Sequence, residues 1–278
     1  MSKLKVAIIC GGKSSEHEIS CVSANGILNA LDRAQFEPVL IGITKNGRWL
    51  LLPSDTNFSI INGALPVVPE SGVEINVTSQ GLFSGGKNLE IDVAFPILHG
   101  PYGEDGTIQG LLEMIGVKYV GSGVLASAVC MDKSYAKPIF ASAGLNVAPG
   151  IVVTSKNFEL PSTLKLPLFV KPARSGSSRG TTKVKELSQL EVAVEHALGF
   201  DTKVIIEQAI VGKEIECAVL QADDKITVSK VGQILISDKF EFYDFQAKYL
   251  DDSMQLILPA DLPDEASRQI QQAALIAF

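Results

Sequence analysis

Short apolar runs alternate with amphipathic stretches over the first 130 residues of the chain. The run KVAIIC (5–10) is rich in β-branched residues and stops at Gly11 and Gly12, which is typical of a buried parallel strand. Over residues 18–31, Ile, Val and Leu recur on one face of a predicted helix. Strands that alternate with helices predict an open parallel βαβ sheet, with ligand sites at the carboxyl ends of its strands.

The same pattern continues to about residue 115. Strands are predicted at 38–44, 49–52 and 91–98, and a helix is predicted at 107–115. Residues 54–90 are rich in Gly, Ser, Asn and Pro, so we expect loops and sheet edges there.

The pattern changes after about residue 130. One helix is predicted over 132–144 and another over 188–198, where Ser188 and Glu191 fit a capping box. The remaining apolar runs are strand-like and predict an antiparallel α+β region. These runs cover 150–154, 167–172, 181–185, 203–208 and 214–222.

Composition and charge restrict the class of protein. With 278 residues, 46% of them hydrophobic and 20% charged, the chain has enough apolar residues for a sizeable core. A formal net charge of -7 argues against a broadly basic nucleic-acid surface. No apolar run reaches the roughly 18 residues of a membrane span, and the N-terminus indicates a strand rather than a signal peptide. The scattered cysteines are expected to be reduced thiols of a cytoplasmic protein: Cys10, Cys21, Cys130 and Cys217.

Two glycine-rich loops follow predicted strands. In the first, GGKSSEHEIS (11–20), backbone N–H groups favour an anion, whereas Glu16 would attract an ammonium group. The alternative for Glu16 is a first-turn acid that only favours the helix dipole. In the second, HGPYGEDG (99–106), His99 could donate to a carboxylate. Glu104 and Asp105 could fix neighbouring loops or cap the helix at Thr107. The alternative is a simple Gly-rich turn with an Asp cap.

Three later segments carry candidate chemistry. In KPARSGSSRG (171–180), Lys, Arg, Ser and Gly together suit phosphate, and a solvated hairpin tip is the alternative. The segment 203–216 could bind a flat base through its backbone and ribose through a carboxylate, or be a plain hairpin. The segment 241–255 carries Lys248 and Tyr249, which suit phosphate and a catalytic hydrogen bond; an aromatic packing patch is the alternative.

Six segments, taken in chain order, closely resemble signatures of the D-alanine–D-alanine ligase family of the ATP-grasp superfamily. They are GGKSSEHEIS (11–20), LHGPYGEDGTIQG (98–110), GSGVLASAVCMDK (121–133), FVKPARSGSSRG (169–180), VIIEQAIVGKEIE (204–216) and FYDFQAKYL (242–250). The resemblance covers essentially the whole chain, and the combination of HGxxGEDGxxQG, GSGVxAS and MDK is highly specific. It implies a cytoplasmic, ATP-dependent ligase of D-alanine that serves peptidoglycan synthesis and cell shape.

The resemblance also implies the domain organisation. Residues 1–130 would form an N-terminal substrate-binding α/β domain with an open parallel sheet. Residues 131–212 and 213–278 would form the two subdomains of an ATP-grasp fold, the last of them incomplete. The partner would be D-alanine as a small-molecule substrate, with no nucleic acid and no membrane, and a homodimer is a family expectation.

For D-alanine, the resemblance implies four site residues. Glu16 would hold the ammonium group of the first D-alanine, and His99 would lie near its carboxylate. Glu16, Ser177 and Tyr249 would form a hydrogen-bonded set that closes mobile loops over the site. Tyr249 also argues against a D-alanine–D-lactate ligase, because depsipeptide-forming relatives lack tyrosine in this loop.

For ATP, the resemblance implies phosphate contacts from Lys133 and Lys171, and from Lys248 on the γ-phosphate side. ATP would phosphorylate the first D-alanine, and the resulting acylphosphate would be attacked by the amine of the second. Such phosphoryl transfer depends mainly on positioning and charge neutralisation.

The nucleoside half of ATP would fall on the segment 204–216. Glu207 would accept a hydrogen bond from the adenine amino group, and Glu214 would bind ribose. The backbone around Ala209 and Ile210 would contact the edge of the base.

The end of the sequence departs from the family pattern. Family members carry an arginine, a metal-binding aspartate and a Glu-x-Asn after the last helix, and none of these motifs appears here. The chain stops on the apolar run ALIAF without a helix cap, so we expect it to be cut short. Mg²⁺ is therefore expected from the family, with no ligand assigned. A non-catalytic ATP-binding remnant remains the alternative to the ligase.

A Glu16→Gln substitution should weaken D-alanine binding more than ATP binding. Loss of one charge-assisted hydrogen bond to the ammonium should cost about 1.5–3 kcal/mol, or roughly ten- to a hundredfold in affinity. Isothermal titration with each ligand measures both effects, and equal losses for ATP and D-alanine would contradict the assignment.

The 278-residue polypeptide should form D-alanyl-D-alanine very slowly, because charge on the transferring phosphoryl group would be met by lysines alone. The missing arginine would also leave the tetrahedral oxyanion short of a donor, which is typically worth ~2.7–4 kcal/mol. A purified chain with an ordinary enzymatic rate, ~1–1000 per second, would refute this expectation.

Overall fold

The structure is a computed structural model that describes residues 3–237, 239–249 and 253–278. Leu250, which closes the last of the six family-like segments, lies outside the described residues. The chain divides into two compact units, Met1–Asp132 and Lys133–Phe278. Within the described ranges, no helix combines the length and apolar character needed to cross a membrane.

In its described residues, from position 3 onward, the first unit has a seven-stranded sheet and three helices. Its strands are β1 (Leu4–Gly11), β2 (Phe36–Ile43), β3 (Trp49–Leu52), β4 (Val73–Thr78), β5 (Gly81–Ser84), β6 (Lys87–Asn88) and β7 (Val93–Pro96). Its helices are α1 (His17–Ala30), α2 (Thr107–Met114) and α3 (Val124–Met131). The strand order is β6-β5-β4-β3-β2-β1-β7.

The sheet is mixed rather than wholly parallel. Strand β1 pairs in parallel with β2 and β7, which confirms the predicted parallel centre. The remaining strands add in antiparallel order, so the parallel prediction is wrong beyond β2. The reason lies in the short turn after β2, where Thr44 and Arg48 pair through their backbones. So short a connection can only join antiparallel strands.

Strand β1 is buried on both faces, which explains its continuous apolar run. Ile8 packs with residues of α1 on one face, and Ile9 packs with residues of α2 on the other. Both side chains are fully buried. The strand is therefore fixed in register, and the loop at its carboxyl end starts from a rigid base.

Ser20 of α1 ties two strand ends together. Its Oγ accepts the Gly11 N–H at 2.8 Å and donates to the Ile97 carbonyl at 2.6 Å. Ser20 is fully buried, so both strand-end groups depend on this hydroxyl for a partner. The first turn of α1 is thereby held against the ends of β1 and β7.

The second unit is antiparallel, as predicted. Its helices are α4 (Lys133–Ser142), α5 (Leu190–Leu198), α6 (Phe245–Tyr249) and α7 (Asp264–Ala277). Its strands are β8 (Gly150–Val153), β9 (Leu168–Pro172), β10 (Thr182–Val184), β11 (Val204–Gln208), β12 (Glu214–Glu216), β13 (Val219–Ala222), β14 (Lys225–Val228), β15 (Gly232–Leu235) and β16 (Gln255–Ile257). They form sheets in the orders β10-β9-β11-β8, β12-β15-β16 and β13-β14.

The cap of α5 differs from the prediction. A short 3-10 turn, Leu187–Gln189, precedes the helix, and the capping box is formed by Glu186 and Gln189 instead of Ser188 and Glu191. The Gln189 side chain accepts the Glu186 N–H at 3.2 Å. The capping residue is therefore Glu186, two positions before the predicted Ser188.

A Ser20→Ala substitution should destabilise the protein by about 1–3 kcal/mol, because it leaves two buried backbone groups without a partner. Urea unfolding measures the change. The matched control is Asn29→Ala, an exposed position of α1 where alanine favours the helix. Equal stability of the two variants would contradict the proposed tie.

Candidate active site

Ser14 links the two glycine-rich loops of the first unit. Its hydroxyl accepts the Glu16 N–H at 2.9 Å and donates to the His99 carbonyl at 2.7 Å. The turn after β1 and the loop after β7 are therefore held side by side by one hydroxyl. This is the arrangement expected where two parallel strands end at the same sheet edge.

Glu16 lies against the backbone of Gly100. The Glu16 side chain is buried, with 3% of the residue exposed. A Cβ atom on Gly100 would stand 2.5 Å from Glu16 Oε2, and the φ of Gly100 is +72°. Both facts require glycine at this position. A carboxylate is thus held where the two loops meet.

The Glu104–Asp105 pair folds its own loop. Glu104 Oε2 accepts the Gly100 N–H at 2.7 Å. Asp105 accepts the N–H groups of Tyr102 and Thr107, at 2.9 and 3.0 Å. These acids therefore fix the loop, and Asp105 also accepts the first N–H group of α2, whose N-cap residue is Gly106.

His99 lies beside the same loop. Its Nε2 is 2.9 Å from Ser23 Oγ, and its Nδ1 is 3.9 Å from Glu104 Oε1. His99 also lines a cavity of about 290 Å³, together with Gly11, Gly12 and Lys13. The histidine is thus oriented by a hydroxyl on one side of its ring and faces a cavity at the strand ends.

His17 is a buried residue of this region that sequence reasoning did not single out. Its Nδ1 donates to the Gly12 carbonyl at 2.7 Å, and its Nε2 accepts the Val68 N–H at 3.1 Å. This pattern requires the neutral ring with its proton on Nδ1. His17 therefore fixes the Gly-Gly turn, and no local pattern connects it with Val68, 51 residues along the chain.

The second unit contains a cleft of about 410 Å³. Seven of the predicted site residues line it: Lys133, Lys171, Ser177, Glu207, Ile210, Glu214 and Lys248. They come from helix, strand and loop segments that are far apart in sequence. Of the remaining predictions, Glu16 and His99 lie in the first unit.

Strand alternation places polar groups in this cleft. Residues Leu168 and Val170 of β9 point into the core under α5, so Phe169 and Lys171 point to the opposite face. Glu207 of β11 lies opposite Phe169 and diagonal to Lys171. A sheet with one apolar face and one functional face follows from this period of two.

Glu207 binds two lysines. Its Oε1 accepts from Lys171 Nζ, and its Oε2 accepts from Lys137 Nζ. Burial raises the pKa of Glu207, but the two ammonium groups outweigh this effect and hold the pKa below its usual range. The carboxylate is therefore ionised, and it links β11 to both β9 and α4.

Lys133 contacts the start of the loop that follows β9, residues 173–181, which we call the Ser-Gly loop. Its Nζ donates to the Ser175 carbonyl at 2.7 Å, and its backbone N–H donates to the Ala173 carbonyl at 3.1 Å. The ammonium group thereby lies at the point where the loop leaves β9.

The loop after β9 is joined to the segment that contains α6. Ser177 Oγ and Tyr249 Oη are 2.9 Å apart, and Ser178 Oγ donates to the Tyr243 carbonyl at 2.8 Å. The Arg179 guanidinium lies 3.8 Å from the centre of the Phe245 ring. The pairing of Ser177 with Tyr249 thus occurs within the second unit.

The other residues predicted to contact ATP differ in whether their polar groups are already hydrogen-bonded and in whether they line the cleft. The Ala209 N–H donates to the Pro167 carbonyl at 3.0 Å, so this group is engaged in the sheet connection. Ile210 is 69% exposed and lines the cleft, as does Glu214 of β12. Lys248 Nζ lies 4.8 Å from the centre of the Tyr243 ring.

Sequence reasoning missed three residues of this cleft region. Phe169 and Phe242 form an edge-to-face pair with ring centres 5.3 Å apart, and both line the cleft. Lys137 is the second partner of Glu207. Two of the three could have been found from their spacing to predicted site residues. Phe169 lies two residues before Lys171 on one strand, and Lys137 lies four residues after Lys133 on one helix, so each pair shares a face.

Within residues 3–237, 239–249 and 253–278, no group of three or more His, Cys, Asp or Glu is arranged to hold a metal ion. No described residue is therefore assigned as a ligand of Mg²⁺.

Comparison with known families matches both parts of the chain. The family model described as D-ala D-ala ligase N-terminus matches residues 5–122, and the one described as D-ala D-ala ligase C-terminus matches residues 139–278.

Similar proteins carry the same name. The D-alanine–D-alanine ligase of Paenarthrobacter aurescens (strain TC1) is 45% identical over 297 residues, which cover 99% of this chain and 79% of the relative. The D-alanine–D-alanine ligase of Mycolicibacterium smegmatis (strain ATCC 700084 / mc(2)155) is 46% identical over 297 residues, covering 99% of this chain and 80% of the relative.

Solved structures agree in fold. The VanG D-Ala:D-Ser ligase from Enterococcus faecalis has a TM-score of 0.82 and 34% identity, covering 99% of this chain and 82% of that one. The D-alanyl-alanine synthetase A from Vibrio cholerae has a TM-score of 0.81 and 31% identity, covering 100% of this chain and 81% of that one. These matches confirm the predicted fold class, and the chain belongs to the D-alanine–D-alanine ligase family.

Proposed function

We propose that this chain uses ATP to join two D-alanines into D-alanyl-D-alanine through an acylphosphate, for peptidoglycan precursor synthesis. The observation that carries the proposal is the cleft of the second unit, in which three lysines and two glutamates face one volume. This donor and acceptor set suits a nucleoside triphosphate, because ammonium groups bind phosphates and carboxylates bind amino and hydroxyl groups. Family membership supports the reaction type.

The lysines support an assignment of the triphosphate end of the cleft. Lys133 stands at the base of the Ser-Gly loop, Lys171 lies on the cleft face of β9, and Lys248 lies on α6. In our proposal these ammonium groups orient the phosphates and offset the charge that builds on the transferring phosphoryl group. Residues 175–178 of the Ser-Gly loop line the same cleft.

The glutamates and aromatic rings support an assignment of the nucleoside end. In our proposal, Glu207 accepts from the adenine amino group and Glu214 binds ribose, while Phe169 and Phe242 pack against the base. The Ala209 N–H is engaged by Pro167, so the proposed backbone contact falls on Ile210. In our proposal the ATP-grasp fold divides at residue 212, and the nucleoside contacts come from both sides of that position.

The first unit supplies the proposed D-alanine contacts. In our proposal the buried carboxylate of Glu16 binds an ammonium group, and His99 lines a cavity at the strand ends. Gly100 leaves room for close approach, because a side chain there would collide with Glu16.

The proposed chemistry has two steps. In the first, a carboxylate oxygen of D-alanine attacks the γ-phosphorus of ATP, the bond to ADP breaks, and an acylphosphate forms. In the second, the amine of another D-alanine attacks the acyl carbon, loses a proton, and expels phosphate as the peptide bond forms. Acylphosphates hydrolyse readily, so loops that exclude water are required during both steps.

The assay that tests this function follows ADP, phosphate and dipeptide after ATP, Mg²⁺ and D-alanine are added. We expect the three products in equal amounts, and hydroxylamine should trap the acylphosphate as D-alanyl hydroxamate. D-Serine and D-lactate are offered in competition, since one similar structure is a D-Ala:D-Ser ligase. Absence of both dipeptide and hydroxamate would refute the proposal, and ATP binding without turnover would favour the non-catalytic alternative.

Tyr249→Phe and Ser177→Ala should each uncouple ATP cleavage from peptide formation. Both changes remove the same 2.9 Å hydrogen bond between the loop after β9 and α6, so water should reach the acylphosphate more easily. The ratio of phosphate released to dipeptide formed should rise above one in each variant. The double variant should show no further rise, because the two residues act through one contact.

The control for this prediction is Tyr135→Phe, at an exposed tyrosine of α4. Its ratio should remain at one. An unchanged ratio in Tyr249→Phe would contradict a sealing role for the hydrogen bond.

A further inference from the structure

The Glu207 carboxylate, which lines the cleft, is shared between two cations. Its side chain is 11% exposed, and the side chains of Lys137 and Lys171 are 21% and 25% exposed. Each carboxylate oxygen accepts from a different lysine. A mostly buried charge is thus compensated from two directions, by a strand on one side and a helix on the other.

The two lysines differ in their access to a ligand. Lys171 lines the cleft together with Glu207, whereas Lys137 does not belong to the cleft lining. Lys137 lies on α4, one helical turn after Lys133, and reaches the site through the Glu207 carboxylate. Lys137 lines a separate cavity of about 290 Å³, and its ion pair with Glu207 joins it to the lining of the cleft.

A carboxylate offers about four acceptor positions, of which the two lysines use two. The remaining positions allow Glu207 to accept from a base in the cleft. If Lys171 turns towards phosphate when ATP binds, Lys137 is the cation that stays with Glu207. Without Lys137, that movement would leave a buried carboxylate without a counter-ion, which is strongly unfavourable.

We infer that Lys137 is a positioning residue that holds Glu207 ionised and oriented, so that Glu207 selects purine nucleotides with an amino group at position 6. This inference rests on the proposed function, because it requires ATP in the cleft of the second unit. It adds a residue outside the cleft to the recognition of the base.

The experiment compares ATP with purine riboside triphosphate, which has hydrogen in place of the 6-amino group. Isothermal titration gives the Kd of each nucleotide for the unmodified chain and for Lys137→Met. We expect Lys137→Met to weaken ATP about tenfold more than it weakens the analogue, since one charge-assisted hydrogen bond loses its orientation. The turnover number at saturating ATP should change by less than about threefold.

Two further variants separate positioning from a general effect on the fold or on charge. Lys137→Arg keeps a cation that can pair with a carboxylate, so it should restore most of the preference for ATP. In a Glu207→Gln background, Lys137→Met should cause no further loss of preference, because the ion pair through which Lys137 is inferred to act is gone.

Lys203→Met is the matched control. Lys203 also contacts α4, where its Nζ donates to Ser134 Oγ at 2.9 Å, and it does not line the cleft. It should leave both Kd values unchanged. Circular dichroism and thermal melting check that each variant is folded.

The outcomes are distinguishable. If the unmodified chain binds neither nucleotide, the proposed function and the inference both fail. If it binds ATP but Lys137→Met weakens ATP and the analogue equally, Lys137 acts only through overall charge, and the inference fails while the proposed function stands. A selective loss for ATP that Lys137→Arg reverses supports the inference.

Discussion

A buried carboxylate must have cations beside it, and this requirement organises the second unit. Glu207 lies on a strand whose neighbouring residues pack into an apolar core, where an unpaired charge would be strongly destabilising. Lys171 meets the charge from the next strand and Lys137 meets it from α4. The same ion pairs that make the buried charge tolerable also fix the helix against the sheet. Packing and site are therefore consequences of one electrostatic constraint.

The first unit also contains a buried carboxylate, Glu16, which lies between two glycine-rich loops. A carboxylate, a histidine and two glycine-rich loops converge at the ends of two parallel strands. Ser14 and Ser20 satisfy the backbone groups that such loops leave exposed, and Gly100 removes the side chain that would displace Glu16. Serine hydroxyls and a glycine thus shape the two loops around this carboxylate.

Much of the fold could be predicted from the sequence because its strongest signals are local. The run at β1 is apolar throughout because Ile8 and Ile9 face different layers, and the antiparallel strands of the second unit alternate with period two. The cap of α5 was predicted wrongly, since Ser188 fits the motif but Gln189 makes the reciprocal contact. The sequence pattern alone could not decide between the pairs Ser188–Glu191 and Glu186–Gln189, because the two overlap within one helical turn.

The parts of the site that could not be predicted depend on pairs that are distant in sequence. Lys137 and Glu207 are 70 residues apart, and His17 and Val68 are 51 residues apart. Each partner is unremarkable in its own segment, and only the tertiary fold brings the atoms together. The family signatures named the residues that match a motif, and Lys137 had no assigned role among them.

The backbone of the Ser-Gly loop has a consequence for how the cleft opens. Ser177 and Ser178 both have positive φ angles, 50° and 56°, a conformation that costs a residue with a side chain roughly 1–2 kcal/mol. Their hydroxyl contacts with Tyr249 and Tyr243 are each worth about 1 kcal/mol net. At these two serines the gain and the cost are therefore of similar size, so the hydroxyl contacts do little more than offset the backbone strain. If nucleotide binds in the cleft as proposed, a loop held by so small a margin would need little free energy to open for exchange.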